Sequence, residues 1–111
     1  MKHLIEVMFA DAIPNFKLTI TNIVMNHELK TWPPYYQAII DGKKRFEIRK
    51  NDRCFSVGDV LRLREYDPIK EYDPITEKYT GRYCYVRVDY VLSDFLALEE
   101  DYVAMSITLI N

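Results

Sequence analysis

The sequence predicts a small α+β domain, with one short helix and several short strands in a strongly bent sheet or barrel. Three observations predict it. A proline-led segment with one apolar face ends at a glycine. Four later segments alternate apolar and polar residues with a period of two. At 111 residues and 49% hydrophobic content, the chain has the length of one domain and enough apolar material for its own core.

Residues 1–24 carry the weakest signals. Leu4, Ile5 and Met8 fit a short helix face, Pro14 interrupts, and Phe16, Leu18 and Ile20 alternate as a strand would. Four readings stay open for this segment: an extra strand, a dimer contact, a loosely attached tail, or a reading frame begun upstream of Met25. The domain itself is placed at residues 25–111. The opening has the outline of a signal peptide, with a lysine, a short apolar stretch and an A-x-A ending, but Glu6 interrupts the apolar stretch. It is not read as one.

In "TWPPYYQAIIDG" two prolines stand where only a first helical turn tolerates them. Trp32, Tyr36, Ile39 and Ile40 then share one face, and Gly42 stops the helix. A helix is expected from Pro33 to Asp41. The period next changes to two. In "RFEIR", Phe46 and Ile48 take one side, and Arg45, Glu47 and Arg49 the other. A turn at Gly58-Asp59 leads into "VLRLREY", with Leu61 and Leu63 inward and Arg62 and Arg64 outward. In "RYCYVRVDYVL", Cys84, Val86, Val88, Tyr90 and Leu92 share a face, against Tyr83, Tyr85, Arg87 and Asp89. "YVAMSITLI" closes the chain with Val103, Met105, Ile107 and Leu109 on a core face. Between the second and third of these strands, EYDPI occurs twice, at residues 65–69 and 71–75. Two copies make no solenoid, and their Pro and Asp content fits a duplicated hairpin loop. A tyrosine-bearing recognition loop and a tolerated insertion are both consistent with it.

Composition narrows the function. The net charge of −2 gives no whole-molecule attraction to nucleic acid or membrane, so any such attraction must be local. No apolar run is long enough to span a bilayer. Cys54 and Cys84 lack a CxxC arrangement, which fits buried thiols in a reducing, cytoplasmic setting. With two histidines and no zinc-ligand spacing, no metal or cofactor is expected.

The local exception is "DGKKRFEIRKNDR", residues 41–53, with six basic and three acidic residues. Lys43 and Lys44 follow the helix, where they would offset the negative end of its dipole. Arg45, Glu47 and Arg49 would form a surface ion-pair row of little energetic value. Lys50 and Arg53 extend the charge, and Arg62 and Arg64 follow on the next strand. Pairing of those strands would build a basic face bordered by Tyr83 and Tyr85. Such a face suits phosphate contact and base stacking. Physics alone leaves nucleic-acid binding and a solvated charged face both open.

"GKKRFEIR", residues 42–49, resembles the G-x-K-x-x-E-x-R signature of ASCH domains, small barrels of the PUA-like superfamily. With "RKNDR", "VGD" and "LREYDP" following in order, the stretch from His27 to Leu109 is most similar to an ASCH-like bacterial and phage family classed as a domain of unknown function. The resemblance implies a PUA-like barrel of five or six strands with a cleft beside the signature, and RNA or a nucleotide as partner. It places Gly42, Lys44, Glu47 and Arg49 at the motif positions. Lys44 would face the cleft, Glu47 would orient Lys44 and Arg49 or contact a base, and Arg49 would hold phosphate or tie down the cleft wall. The binding set expected overall is Lys43, Lys44, Glu47, Arg49, Lys50, Arg53 and Arg64. One ASCH branch deacetylates acetylated cytidine, using a lysine that matches Lys44 and a threonine three residues on. This chain has Glu47 in place of that threonine, and only "SDFLALEED" where those enzymes carry a glutamate on a helical insertion. The alternative function is therefore a hydrolase on modified nucleosides or RNA, with Glu47 as base and Lys44 as oxyanion partner. A third reading is an interaction domain whose "RFEIR" face meets protein.

Overall fold

The computed structural model describes residues 25–110. The expectations for residues 1–24 lie outside them. Strands β1 (Asn26–Thr31), β2 (Phe46–Lys50), β3 (Val60–Tyr66), β4 (Tyr79–Leu92) and β5 (Tyr102–Leu109) form one curled half-barrel sheet, with helix α1 (Pro33–Ile40) between β1 and β2. The order across the sheet is β1-β3-β4-β5-β2. β1 runs parallel to β3, and every other pair is antiparallel. A parallel pair needs a long crossover, and α1 with β2 supplies it. Sequence neighbours β1 and β2 therefore end up at opposite ends of the sheet order.

The helix begins where Trp32 is held extended before two prolines (φ −66°, ψ 150°) and ends one residue earlier than expected. Its end is a Schellman closure: Gly42 N–H donates to Ile39 O (3.0 Å) and Lys43 N–H to Ala38 O (2.9 Å). Gly42 sits at φ +74°, a conformation costly for a residue with a Cβ. Tyr36 and Ile39 are buried, with Ile40 packed beside them. Trp32 departs from the expected apolar face. It precedes the helix in extended geometry and is half exposed.

Leu61, Leu63, Val86, Val88, Val103, Met105 and Ile107 fill the concave side of the sheet with Cys84 and Leu29. Each buried Leu or Val there contributes about 1.5–3 kcal/mol relative to an exposed one. Three inward assignments fail. Register shifts between Val88 and Tyr90 against β5, so the alternation breaks at Asp89 and Val91 takes the inward place expected for Tyr90 and Leu92. Leu109, at the end of β5, is also exposed. β1 was not legible as a strand, because only Leu29 and Thr31 of its six residues are buried.

β2 alternates as expected, but its ion pairs are no surface row. Glu47 points inward at 2% exposure, while Phe46 and Ile48 stand outward at 51% each. The cations that pair with Glu47 make the inversion tolerable.

EYDPI does form the β3–β4 hairpin loop. Asp67 Oδ1 accepts from Ile69 N–H at 3.0 Å and Asp73 Oδ1 from Ile75 N–H at 2.7 Å, the same turn twice. The first copy is anchored, with Glu65 buried and accepting from Thr80 Oγ1 at 2.7 Å. The second stands clear of the sheet. The expectation of two buried thiols holds for Cys84 alone. Cys54 lies exposed in the β2–β3 connection, and no disulfide joins the two.

Candidate functional site

Because β1 and β2 are the two ends of a curled sheet, a seam lies between them. Two arginines from the β2 side bridge it. Arg49 Nη2 donates to Thr31 Oγ1 at 3.3 Å, and Arg53 Nη1 donates to the Glu28 backbone carbonyl. Beside these bridges is a cavity of about 490 Å³. Its polar lining is Lys30, Thr31, Lys44, Glu47 and Arg49, and its walls are Trp32, Tyr35, Phe46 and Ile48.

The floor is organised around Glu47. Lys44 Nζ donates to Glu47 Oε1 at 2.6 Å, and Arg49 Nε donates to Glu47 Oε2 at 2.7 Å. The same Lys44 ammonium donates to Phe46 O at 2.7 Å and lies 4.9 Å from the Phe46 ring centre. The local sequence explains this convergence. The Schellman turn at Gly42 aims the chain so that Lys44 precedes β2 on the Glu47 side, and Arg49 follows two residues later on the same strand face. Lys44 is thus committed to Glu47 and Phe46 O, not to the helix end as its position after α1 predicts.

Glu47 is shielded and the two cations are not. The Glu47 side chain is 3% exposed, against 16% for Lys44 and 25% for Arg49. An ammonium has three N–H bonds and a guanidinium five. Each cation therefore keeps donors beyond those that hold the carboxylate. Below the floor, burial pushes the Cys84 thiol up to about 11, with the Glu47 charge as the second cause. Cys84 is in its neutral form at ordinary pH and is no nucleophile.

Of the residues expected at the site, Lys44, Glu47 and Arg49 come together. Lys43 and Lys50 are exposed and do not line the cavity. Arg53 ties the seam. Arg64 is on the convex face, its guanidinium 3.8 Å over the Tyr79 ring and 3.4 Å from Glu28 Oε1. The basic face expected from pairing of β2 with β3 does not form, because β4 and β5 stand between them; Arg62 and Arg64 lie beside Tyr85 and Tyr83 of β4 instead. The reading missed Lys30, Thr31, Trp32 and Tyr35. A signal for Trp32 was present, since a residue before proline avoids helical geometry and cannot join a helix face.

Comparison with known proteins gives two findings. Residues 26–107 match a family described as a domain of unknown function, DUF3850. An uncharacterized 12.9 kDa protein in the GpA 3′ region of Escherichia phage P2 is 38% identical over 81 residues, which cover 71% of this chain. The chain spans 64% of that relative's length. The family match runs from the first strand into the last and includes the whole cleft lining, so the chain belongs to the DUF3850 family.

Proposed function

We propose that the seam cleft binds a nucleotide unit, most naturally an unpaired nucleotide of RNA, in an ASCH-like domain of the PUA-like type. The observation that carries this is a cavity lined by three aromatic side chains and three cations, two of which hold one buried carboxylate. Trp32, Tyr35 and Phe46 are each about half exposed at the cavity. Flat apolar walls of this kind stack on a base, at about 1–3 kcal/mol per base. Lys30, Lys44 and Arg49 supply charge for a phosphate, with donors left over from their bonds to protein. The cavity volume of about 490 Å³ falls within the small-molecule range of about 300–1,000 Å³. The G-x-K-x-x-E-x-R resemblance points the same way.

The hydrolase alternative has less support. Both Glu47 oxygens already accept from cations at 2.6 and 2.7 Å, and Cys84 is held neutral. A carboxylate so engaged serves better to hold Lys44 and Arg49 in place than to take a proton from water.

Trp32 is the only tryptophan, so its fluorescence reports directly on the cleft. The test titrates the protein with nucleosides, nucleoside monophosphates, single-stranded RNA and duplex RNA at two salt concentrations. Trp32 quenching by monophosphates and single strands, weakened at high salt, is the expected result. Unchanged fluorescence, with amide shifts absent at Lys44, Glu47 and Arg49 for every ligand, would overturn the proposal.

A further inference from the structure

The convex face of β1, β3 and β4 is a second charged surface that shares only Lys30 with the cleft. In register across the three strands lie Lys30, Arg64 and Tyr83 in one row, and Glu28, Arg62 and Tyr85 in the next. Each cation lies over an aromatic ring: Lys30 Nζ 4.5 Å from the Tyr66 centroid, Arg64 3.8 Å from Tyr79, and Arg62 4.3 Å from Tyr83. Glu28 is the carboxylate among them, 2.9 Å from Arg62 and 3.4 Å from Arg64. Three cations against one carboxylate leave this group at net +2.

These stacks have a chemical consequence. A guanidinium held over a tyrosine ring has lost much of its rotamer freedom, and it keeps N–H groups for a further partner. Tyr66, Tyr79 and Tyr83 each have a cation over the ring, and the cations' remaining N–H groups are what the surface offers to phosphate oxygens. Arg62 Nε is buried and without a hydrogen-bond partner among the described residues, so the outer N–H groups of Arg62 are the ones open to a ligand. Lys30 connects the two surfaces, because it belongs to the convex row and also lines the cavity.

We infer that the convex face is a phosphate track. A single-stranded RNA whose one nucleotide occupies the cleft leaves it past Lys30 and runs over Arg64 and Arg62. The inference rests on the proposed reading of the cleft and names its ligand as a polymer instead of a free nucleotide. Charge complementarity selects the occupant: Lys30 faces Arg64 across the β1–β3 pair, about 4.8 Å away between strands, and Arg62 lies two residues along β3, about 6.7 Å on, a row of cations that suits a repeating phosphodiester better than one anion.

The test compares uridine monophosphate with oligouridylates of increasing length, up to about 12 residues, on the full chain. Three proteins are used: the parent, an Arg62→Ala/Arg64→Ala variant and an Arg62→Lys/Arg64→Lys variant. The lysine variant keeps the charge but loses the flat stack, and melting curves establish that each protein is folded. In the parent, affinity should rise about tenfold or more from monophosphate to oligomer. Its salt slope should steepen by about 0.7 per phosphate engaged. In the alanine variant the oligomer should fall to monophosphate affinity and lose about 1.4 from its slope, while Trp32 quenching by the monophosphate stays unchanged. The lysine variant should lie between the two. Monophosphate binding without any gain from length would overturn the track and leave the cleft reading intact. An alanine variant with parental length dependence would also overturn it. Absence of binding by every ligand would overturn both.

Discussion

Among the described residues three carboxylates are buried, Glu47, Asp59 and Glu65, and the first two have opposite surroundings. Asp59, with 0% exposure, follows Gly58 in the turn before β3. Its oxygens accept from Ser56 N–H at 2.9 Å and Met25 N–H at 3.4 Å, and His27 Nε2 lies 3.0 Å away. Two of these partners are backbone amides, and together the three pin the start of β1 to the turn. Glu47, with 2% exposure, is held by the side chains of Lys44 and Arg49, whose remaining donors reach a cavity. Burial of a carboxylate is therefore no mark of a site in itself. What separates Asp59 from Glu47 is whether the partners include backbone amides closing a turn or are side-chain cations lining a cleft.

The largest effect should come from Asp59→Ala. It leaves buried backbone donors unsatisfied, and such groups cost about 1–3 kcal/mol each. Urea unfolding should register a loss of about 3 kcal/mol or more. Nucleotide affinity of the remaining folded protein should not change. A loss of affinity at constant folded fraction would break the comparison, since the turn would then belong to the site.

Glu47→Gln comes next. It leaves Lys44 and Arg49 without their counter-charge, but both reach water in part. The stability loss should stay near 1.5–2.5 kcal/mol, roughly half the 3–5 kcal/mol of a fully buried broken pair. Nucleotide affinity should fall about tenfold, one factor of 1.4 kcal/mol, as the two cations lose their fixed positions. A stability loss as large as that of Asp59→Ala, with binding unchanged, would make Glu47 a second structural carboxylate.

Trp32→Ala is the reverse case. Trp32 is half exposed before the helix, so stability should move by no more than about 0.5 kcal/mol. Binding of a nucleotide should weaken by the stacking contribution, about 1–3 kcal/mol, measured by calorimetry because the fluorescent group is gone. Equal affinity in this variant would remove the aromatic wall from the proposed contact.

The same contrast explains what the sequence could disclose. Period-two alternation identified β2, β3, β4 and β5, and the inward residues of β3, because apolar side chains there meet an apolar core. It failed at Tyr90 and Leu92, where one bulged residue exchanges the faces of β4. It also failed for β1, an edge strand that buries only two of its residues. The Lys44, Glu47 and Arg49 cluster was legible because its members are close in sequence. Thirteen residues before Lys44, Thr31 joins the cluster only through the curl of the sheet. Which way Glu47 faces was not legible either, since a strand pattern states that two sides differ but not which one is buried.

The smallest effect tests the link between Glu47 and the core. The Cys84 thiol is pushed up to about 11, first by burial and then by the Glu47 charge. Its folded value lies above the ordinary 9.0, so the neutral thiol is the form the fold favours. The stability tied to it is fully present below pH about 9 and is lost as pH rises toward about 11. Removing the Glu47 charge should bring the thiol down, though not to its ordinary value, because burial remains the main cause. The Cys84 13Cβ chemical shift, which tyrosine ionisation does not mask, should therefore move at lower pH in Glu47→Gln than in the parent across an alkaline titration. Identical titrations would mean that Glu47 acts only outward, on the cleft, and that its charge is fully neutralised by Lys44 and Arg49 before it reaches the core.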